Sequence, residues 1–246
     1  MVVREPRQLP TDATASFLGR VLPPPPADVL EAGCGRGEVA LRLRDMGYQV
    51  TPLDVAPDAV GAARASGLDA VECDFLAYEG GPFDAVLFTR SLHHIHPTEA
   101  AAGRAASLLR PGGLLVGEEF AREAIDAETA AWYFDTCDLL RTIGLLPDPE
   151  GAVSDEPLER WRARFRGAHA PPTTGDDLLD AIRRRFELVE VDRRVPYHYR
   201  YLADHLPQTE LGARLTRLVM EMELRRMTAT GGPWAGLRFV ARRTRT

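Results

Sequence analysis

Val29-Leu30-Glu31-Ala32-Gly33-Cys34-Gly35-Arg36-Gly37 is the stretch on which the reading of this chain turns. A short apolar strand runs straight into glycines at alternate positions. A helical pattern then follows from Glu38 to Met46, with Val39, Leu41 and Leu43 available to a core. Glycine permits a tight turn and leaves no Cβ between the main chain and a ligand. The N-terminus of the next helix points at the same spot. The spacing argues against a dinucleotide fingerprint. In G-x-G-x-x-G the third glycine would fall at Glu38, an acid that would repel a pyrophosphate. The run is G-x-G-x-G instead, with Glu31 inside the strand end, which suits a cationic or amine-bearing ligand.

Outward from the glycines, strands and helices alternate. The first strand covers Asp28 to Ala32. It is preceded by an amphipathic helix from Thr11 to Leu22 that the prolines Pro23 to Pro26 stop, since proline offers no N–H to a helix. A strand from Gln49 to Asp54, an alanine-rich helix from Pro57 to Ser66 and a strand from Asp69 to Cys73 come next. The apolar run Phe83 to Phe88 suits a strand buried on both faces of a parallel sheet. A helix from Thr98 to Leu109 is stopped at Pro111-Gly112-Gly113, and Leu114 to Phe120 forms a fifth strand. Such alternation implies right-handed βαβ units. Beyond Phe120 the pattern predicts helices over Glu123 to Ile143, near Leu158 to Phe165, over Asp176 to Arg185 and over Glu210 to Met227. Strands are predicted over Phe186 to Val195 and Leu237 to Ala241.

With these residues in place, the chain resembles the class I S-adenosylmethionine-dependent methyltransferases. Glu31-Ala32-Gly33-Cys34-Gly35-Arg36-Gly37 matches their first motif, and three further features fall in order. Asp54 closes the second strand, Cys73-Asp74-Phe75 the third, and Leu109-Arg110-Pro111-Gly112-Gly113 precedes the fifth. The resemblance covers roughly Ala27 to Phe120. It implies an α/β fold: a Rossmann-like, seven-stranded, mostly parallel sheet with helices on both faces and helical insertions after strands five and six. It further implies methyl transfer from S-adenosylmethionine by direct displacement to an oxygen, nitrogen or carbon of a small molecule. The other readings are an RNA- or protein-modifying methyltransferase and a non-catalytic cofactor-binding relative. The expected organisation is a helix and proline linker over 1–26, a cofactor-binding core over 27–120, a mostly helical lid over 121–185, and strands with an inserted helix over 186–246 that complete the same sheet.

The cofactor has a sulfonium, an amine and two ribose hydroxyls but no phosphate, so acids at successive strand ends suit it. Asp54 is expected at the ribose, Asp74 and Phe75 at the adenine, and Glu31, Gly33, Cys34, Gly35, Val55 and Thr89 around the rest. Cys34 reads as a packing residue of the loop and not as a nucleophile. His94, ahead of His93, is the candidate general base, because imidazole titrates near working pH. A metal reading of His93, His94 and His96 is set aside, because Thr89-Arg90 supplies no acid at the end of strand four. Arg90 reads either as a partner for a substrate carboxylate or as a solvated loop charge. Trp132, Tyr133, Tyr197 and Tyr199 read either as the lining of a lid or as ordinary packing.

Composition narrows the classes further. The chain has 246 residues, 45% of them hydrophobic, and a net charge of −6, enough apolar content for a sizeable core and too acidic a balance for a dedicated nucleic-acid binder. Every basic residue is arginine. The absence of lysine excludes a Walker phosphate loop and a Schiff base to pyridoxal phosphate. Three scattered cysteines favour a reducing cytoplasm over a disulfide framework. No signal peptide and no membrane span are read in the sequence. A small-molecule substrate, and a monomer or homodimer, are expected.

Overall fold

In the computed structural model, which describes residues 5–148, 154–164 and 173–244, the chain folds as two compact units. Of the described residues, one unit comprises 11–120, 173–193 and 237–244, and the other 5–10, 121–148, 154–164 and 194–236.

The first unit is built on the sheet. Its strands are β1 (Asp28–Ala32), β2 (Gln49–Asp54), β3 (Val71–Glu72), β4 (Phe83–Thr89), β5 (Leu109–Phe120), β6 (Phe186–Val195) and β7 (Gly236–Arg243), in the order β3-β2-β1-β4-β5-β7-β6. The pairs β1–β2, β1–β4, β2–β3 and β4–β5 are parallel. The order reverses at β1, which places the ends of β1 and β4 side by side, where open α/β sheets bind ligands.

Side-chain alternation explains the layering. Leu30, Val86, Phe88, Leu115 and Phe239 enter one apolar cluster with residues of α4 (Thr98–Leu108) and α7 (Gly175–Arg183). Their neighbours Val29, Ala85, Leu87, Val116 and Val240 enter another with α1 (Gln8–Val21) and α2 (Glu38–Asp45). A period of two along each strand therefore buries both faces, which is why these strands read as continuous apolar runs. A third, smaller cluster seats α3 (Pro57–Ala65), with Val60 and Ala63 against Ala40 and Leu68.

Two strand boundaries depart from expectation. The third strand pairs over Val71–Glu72 alone, short of the predicted span from Asp69 to Cys73. The fifth begins at Leu109, not Leu114. Leu109 pairs with Phe83, the chain bulges through Arg110-Pro111-Gly112-Gly113, and pairing resumes at Leu114 opposite Ala85. Arg110 holds the bulge by reaching Asp28 at 2.7 Å and Asp84 at 2.5 Å.

The second unit carries α5 (Ala127–Thr142), α6 (Pro157–Ala163), α8 (His198–Ala203) and α9 (Glu210–Thr230). At its centre Glu223, fully buried, accepts from the N–H groups of Tyr197 at 2.7 Å and His198 at 3.0 Å, and pairs with His198 Nδ1 at 2.8 Å. That carboxylate satisfies the orphan donors at the start of α8. The sequence reading missed this helix. The predicted helix end at Phe165 lies outside the described residues.

Candidate functional site

The turn after β1 is made by hydrogen bonds to the neighbouring strand. The N–H groups of Gly33 and Cys34 both donate to the Leu53 carbonyl, at 2.7 and 2.9 Å. Gly33 has φ 72°, and a Cβ there would stand 2.4 Å from the Ser91 Cβ, so only glycine fits. Ser91 closes the gap from β4 by donating its hydroxyl to the Ala32 carbonyl at 2.5 Å. At the tip of β2, Asp54 accepts from Gly35 N–H at 2.8 Å and from Ala56 N–H at 2.9 Å, one on each oxygen. Asp74, after β3, accepts from Leu76 N–H at 2.8 Å.

These strand ends surround a cavity of about 460 Å³, all within the sheet unit. It is lined by Gly33, Leu53, Asp54, Val55, Cys73, Asp74, Phe75, Leu76, Arg90, Ser91, His94, Ile95 and His96. Phe75 is held edge-on against Phe88, with ring centroids 5.1 Å apart. Of the residues expected to touch the cofactor, Gly33, Asp54, Val55, Asp74 and Phe75 thus share one cavity wall. So do Arg90 and His94.

Other expected residues stand behind that wall. Glu31 is fully buried, and Thr89 donates its hydroxyl to Glu31 Oε1 at 2.8 Å, tying the end of β1 to that of β4. Burial pushes the Glu31 carboxyl up to about 7, against the lowering influence of the Thr89 hydrogen bond and the Arg90 charge. Its Oε2 is buried without a hydrogen-bond partner. Cys34 is buried too. Desolvation and then the charge of Glu31 push its thiol up to about 12, which fits a packing role. Gly35 lies outside the lining, yet a Cβ built on it meets no atom within 4 Å.

His93 is not a lining residue. Its Nδ1 lies 2.6 Å from Glu119 Oε2, and its ring packs on His94 and on the edge of Phe120. Glu119, fully buried, also accepts from Leu92 N–H at 2.7 Å and so clamps the turn that carries both histidines. The sequence reading missed Glu119 and its neighbour Glu118. The signal was present: two adjacent acids at the end of a strand otherwise read as core.

Trp132, Tyr133, Tyr197 and Tyr199 belong to the helical unit, and none of them lines the cavity. Tyr133, Tyr197 and Tyr199 are buried, and Trp132, Tyr133 and Trp161 crowd the His198 ring at centroid distances of 5.2 to 5.9 Å. The packing alternative describes what these side chains do in the structure.

Chemically, the cavity offers acceptors at the tips of β2 and β3, an apolar aromatic face, and cationic or basic nitrogens at the end of β4, with the buried Glu31 behind its wall. This set suits a ligand bearing hydroxyls, an amine and a flat ring, and its acids disfavour a phosphate at the glycine turn.

Comparison with known proteins agrees. A model of the methyltransferase domain family matches residues 4–191. A ubiquinone biosynthesis O-methyltransferase of Xanthomonas axonopodis pathovar citri is 31% identical over 188 residues, 61% of this chain and 74% of that protein. The protein of the same name from Xylella fastidiosa is 35% identical over 109 residues, 40% of this chain and only 44% of that relative. Among solved structures, an S-adenosylmethionine-dependent methyltransferase from Mesorhizobium loti superposes with a TM-score of 0.59 at 20% identity, covering 95% of this chain and all of that one, a likeness of fold.

Proposed function

This chain belongs to the methyltransferase domain family and is an S-adenosylmethionine-dependent methyltransferase, and from that premise we propose that it methylates an oxygen of a small molecule in the cavity at the ends of β1, β2, β3 and β4. The observation that carries the reading is the convergence of Asp54, Asp74, Phe75 and the glycine turn on one cavity of about 460 Å³ that Arg90, His94 and His96 also line. The choice of oxygen rests on the relatives, which are named as O-methyltransferases.

When bound, the cofactor supplies a methyl group on a sulfonium, open to in-line displacement. The chain's own residues do the rest. Asp54, its oxygens already oriented by Gly35 and Ala56, receives the ribose hydroxyls on its remaining lone pairs. Asp74 and Phe75 hold the adenine. Glu31, Cys34, Gly35 and Thr89 act from behind, fixing the turn and keeping an acid near the amine. His94 takes the proton released by the acceptor, and His93, anchored on Glu119, sets the height of the turn that carries it. Holding the acceptor in line with the sulfur–carbon bond is the main source of rate.

The test is transfer of a labelled methyl from S-adenosylmethionine to a panel of phenols and catechols, with bulk RNA and denatured protein as competing acceptors. Label in a phenolic O-methyl group supports the proposal. Label confined to RNA or protein contradicts it.

A further inference from the structure

Arg90 lines the cavity with its backbone at φ 66°, the one non-glycine position at positive φ among the described residues. The left-handed region costs a side-chain-bearing residue about 1–2 kcal/mol. Residues held there cluster at functional sites.

The charge behind Arg90 is arranged unevenly. Glu118, fully buried on β5, takes Arg90 Nη1 at 3.3 Å, and its carbonyl takes Arg90 N–H at 2.7 Å. The same carboxylate is held more closely from β7 by Arg238, through Nε at 2.7 Å and Nη2 at 2.6 Å, and from α1 by the Thr14 hydroxyl at 2.6 Å. One carboxylate thus stands between two guanidiniums, leaving a surplus positive charge. Arg238 is 15% exposed and Arg90 32%, so the surplus faces outward at Arg90. Among the described residues, Glu118 is the only side chain that pairs with it. Glu31, whose carboxyl the Arg90 charge also reaches, cancels that charge only in part near neutral pH, because burial pushes the carboxyl up to about 7.

The cavity is therefore divided, with acids at the β2 and β3 tips and a cation flanked by His94 and His96 at the β4 end. We propose that Arg90 is the carboxylate-binding residue of this cavity, held ready by the Glu118–Arg238 pair. The proposal rests on the cofactor reading above for its assignment of the acidic end. Two carboxylates fit the chemistry: the one on the cofactor's amino-acid tail and one on the acceptor. A planar guanidinium suits either through a bidentate pair.

The experiment is calorimetric titration of wild type, Arg90→Met and Arg90→Gly. The glycine variant removes the charge while relieving the backbone, and it keeps the test open if the methionine variant fails to fold. The probes are S-adenosylhomocysteine; 5′-methylthioadenosine, which lacks the carboxylate; and, on protein saturated with S-adenosylhomocysteine, 3,4-dihydroxybenzoate against catechol. A loss of tenfold or more for S-adenosylhomocysteine with methylthioadenosine unchanged assigns Arg90 to the cofactor's tail. A similar loss for dihydroxybenzoate with catechol unchanged assigns it to the acceptor. Equal losses within both pairs, or no difference from wild type in either, overturn the proposal. Wild type that binds neither nucleoside would instead remove the cofactor reading itself.

Discussion

Glu31 hydrogen-bonds Thr89 through one oxygen while the other lies buried without a partner, and this asymmetry has a thermodynamic consequence. Its carboxyl is raised by burial from 4.5 to about 7, so the ligand-free folded protein keeps a proton that the unfolded chain gives up. Below the unfolded value the group costs nothing. As pH rises from 4.5 to about 7 it progressively destabilises the fold, reaching about 3 kcal/mol. Glu31→Gln should remove that pH dependence. Urea unfolding of both proteins between pH 4.5 and 7.5 is expected to give curves that diverge as pH rises, with the variant the more stable at the upper end. Parallel curves would show that Glu31 is solvated and not desolvated.

Single elements depend on a few backbone positions. In the turn after β1, Gly33→Ala would combine a left-handed alanine with a Cβ 2.4 Å from Ser91, and should cost about 2–3 kcal/mol by chemical denaturation. In α7, Thr174 accepts from Asp177 N–H and Asp177 reaches back to Thr174 N–H, a reciprocal cap. Thr174→Ala should cost about 1 kcal/mol, and a change within error would mean the helix start is held by packing alone. The sequence shows the β1 turn because it is local: glycine spacing needs no tertiary information. The six residues of α8 are too few to show a helical period, and that helix is capped by Glu223, 25 residues away from His198, so nothing nearby signals it. The start of β5 is hidden for a related reason. Pro111-Gly112-Gly113 reads as a stop, and only pairing with β4 reveals that the strand bulges there and continues.

Across the whole molecule, buried acids join elements far apart in sequence. Glu118 connects α1, β5 and β7 through Thr14 and Arg238, partners 104 and 120 residues away, and Glu119 holds His93, 26 residues away. No sequence window contains such pairings: the two adjacent acids are visible in the sequence, but their partners are not. Arg238→Met removes the closest charged partner of the buried Glu118 and leaves it Arg90 at 3.3 Å and the Thr14 hydroxyl, so the unfolding free energy should fall by about 1–3 kcal/mol, and no measurable loss would place the pair in effectively solvated surroundings. Among the described residues no helix is long and apolar enough to cross a membrane.

We propose that strand-tip carboxylates hold a phosphate-free nucleoside in the cavity of the sheet unit. Calorimetric titration of S-adenosylhomocysteine into wild type and Asp54→Ala tests it most directly. One site is expected in wild type, and an affinity at least tenfold weaker in a variant whose folded fraction is checked by circular dichroism. Equal affinity in the two proteins, or displacement of the ligand by a dinucleotide, would contradict it.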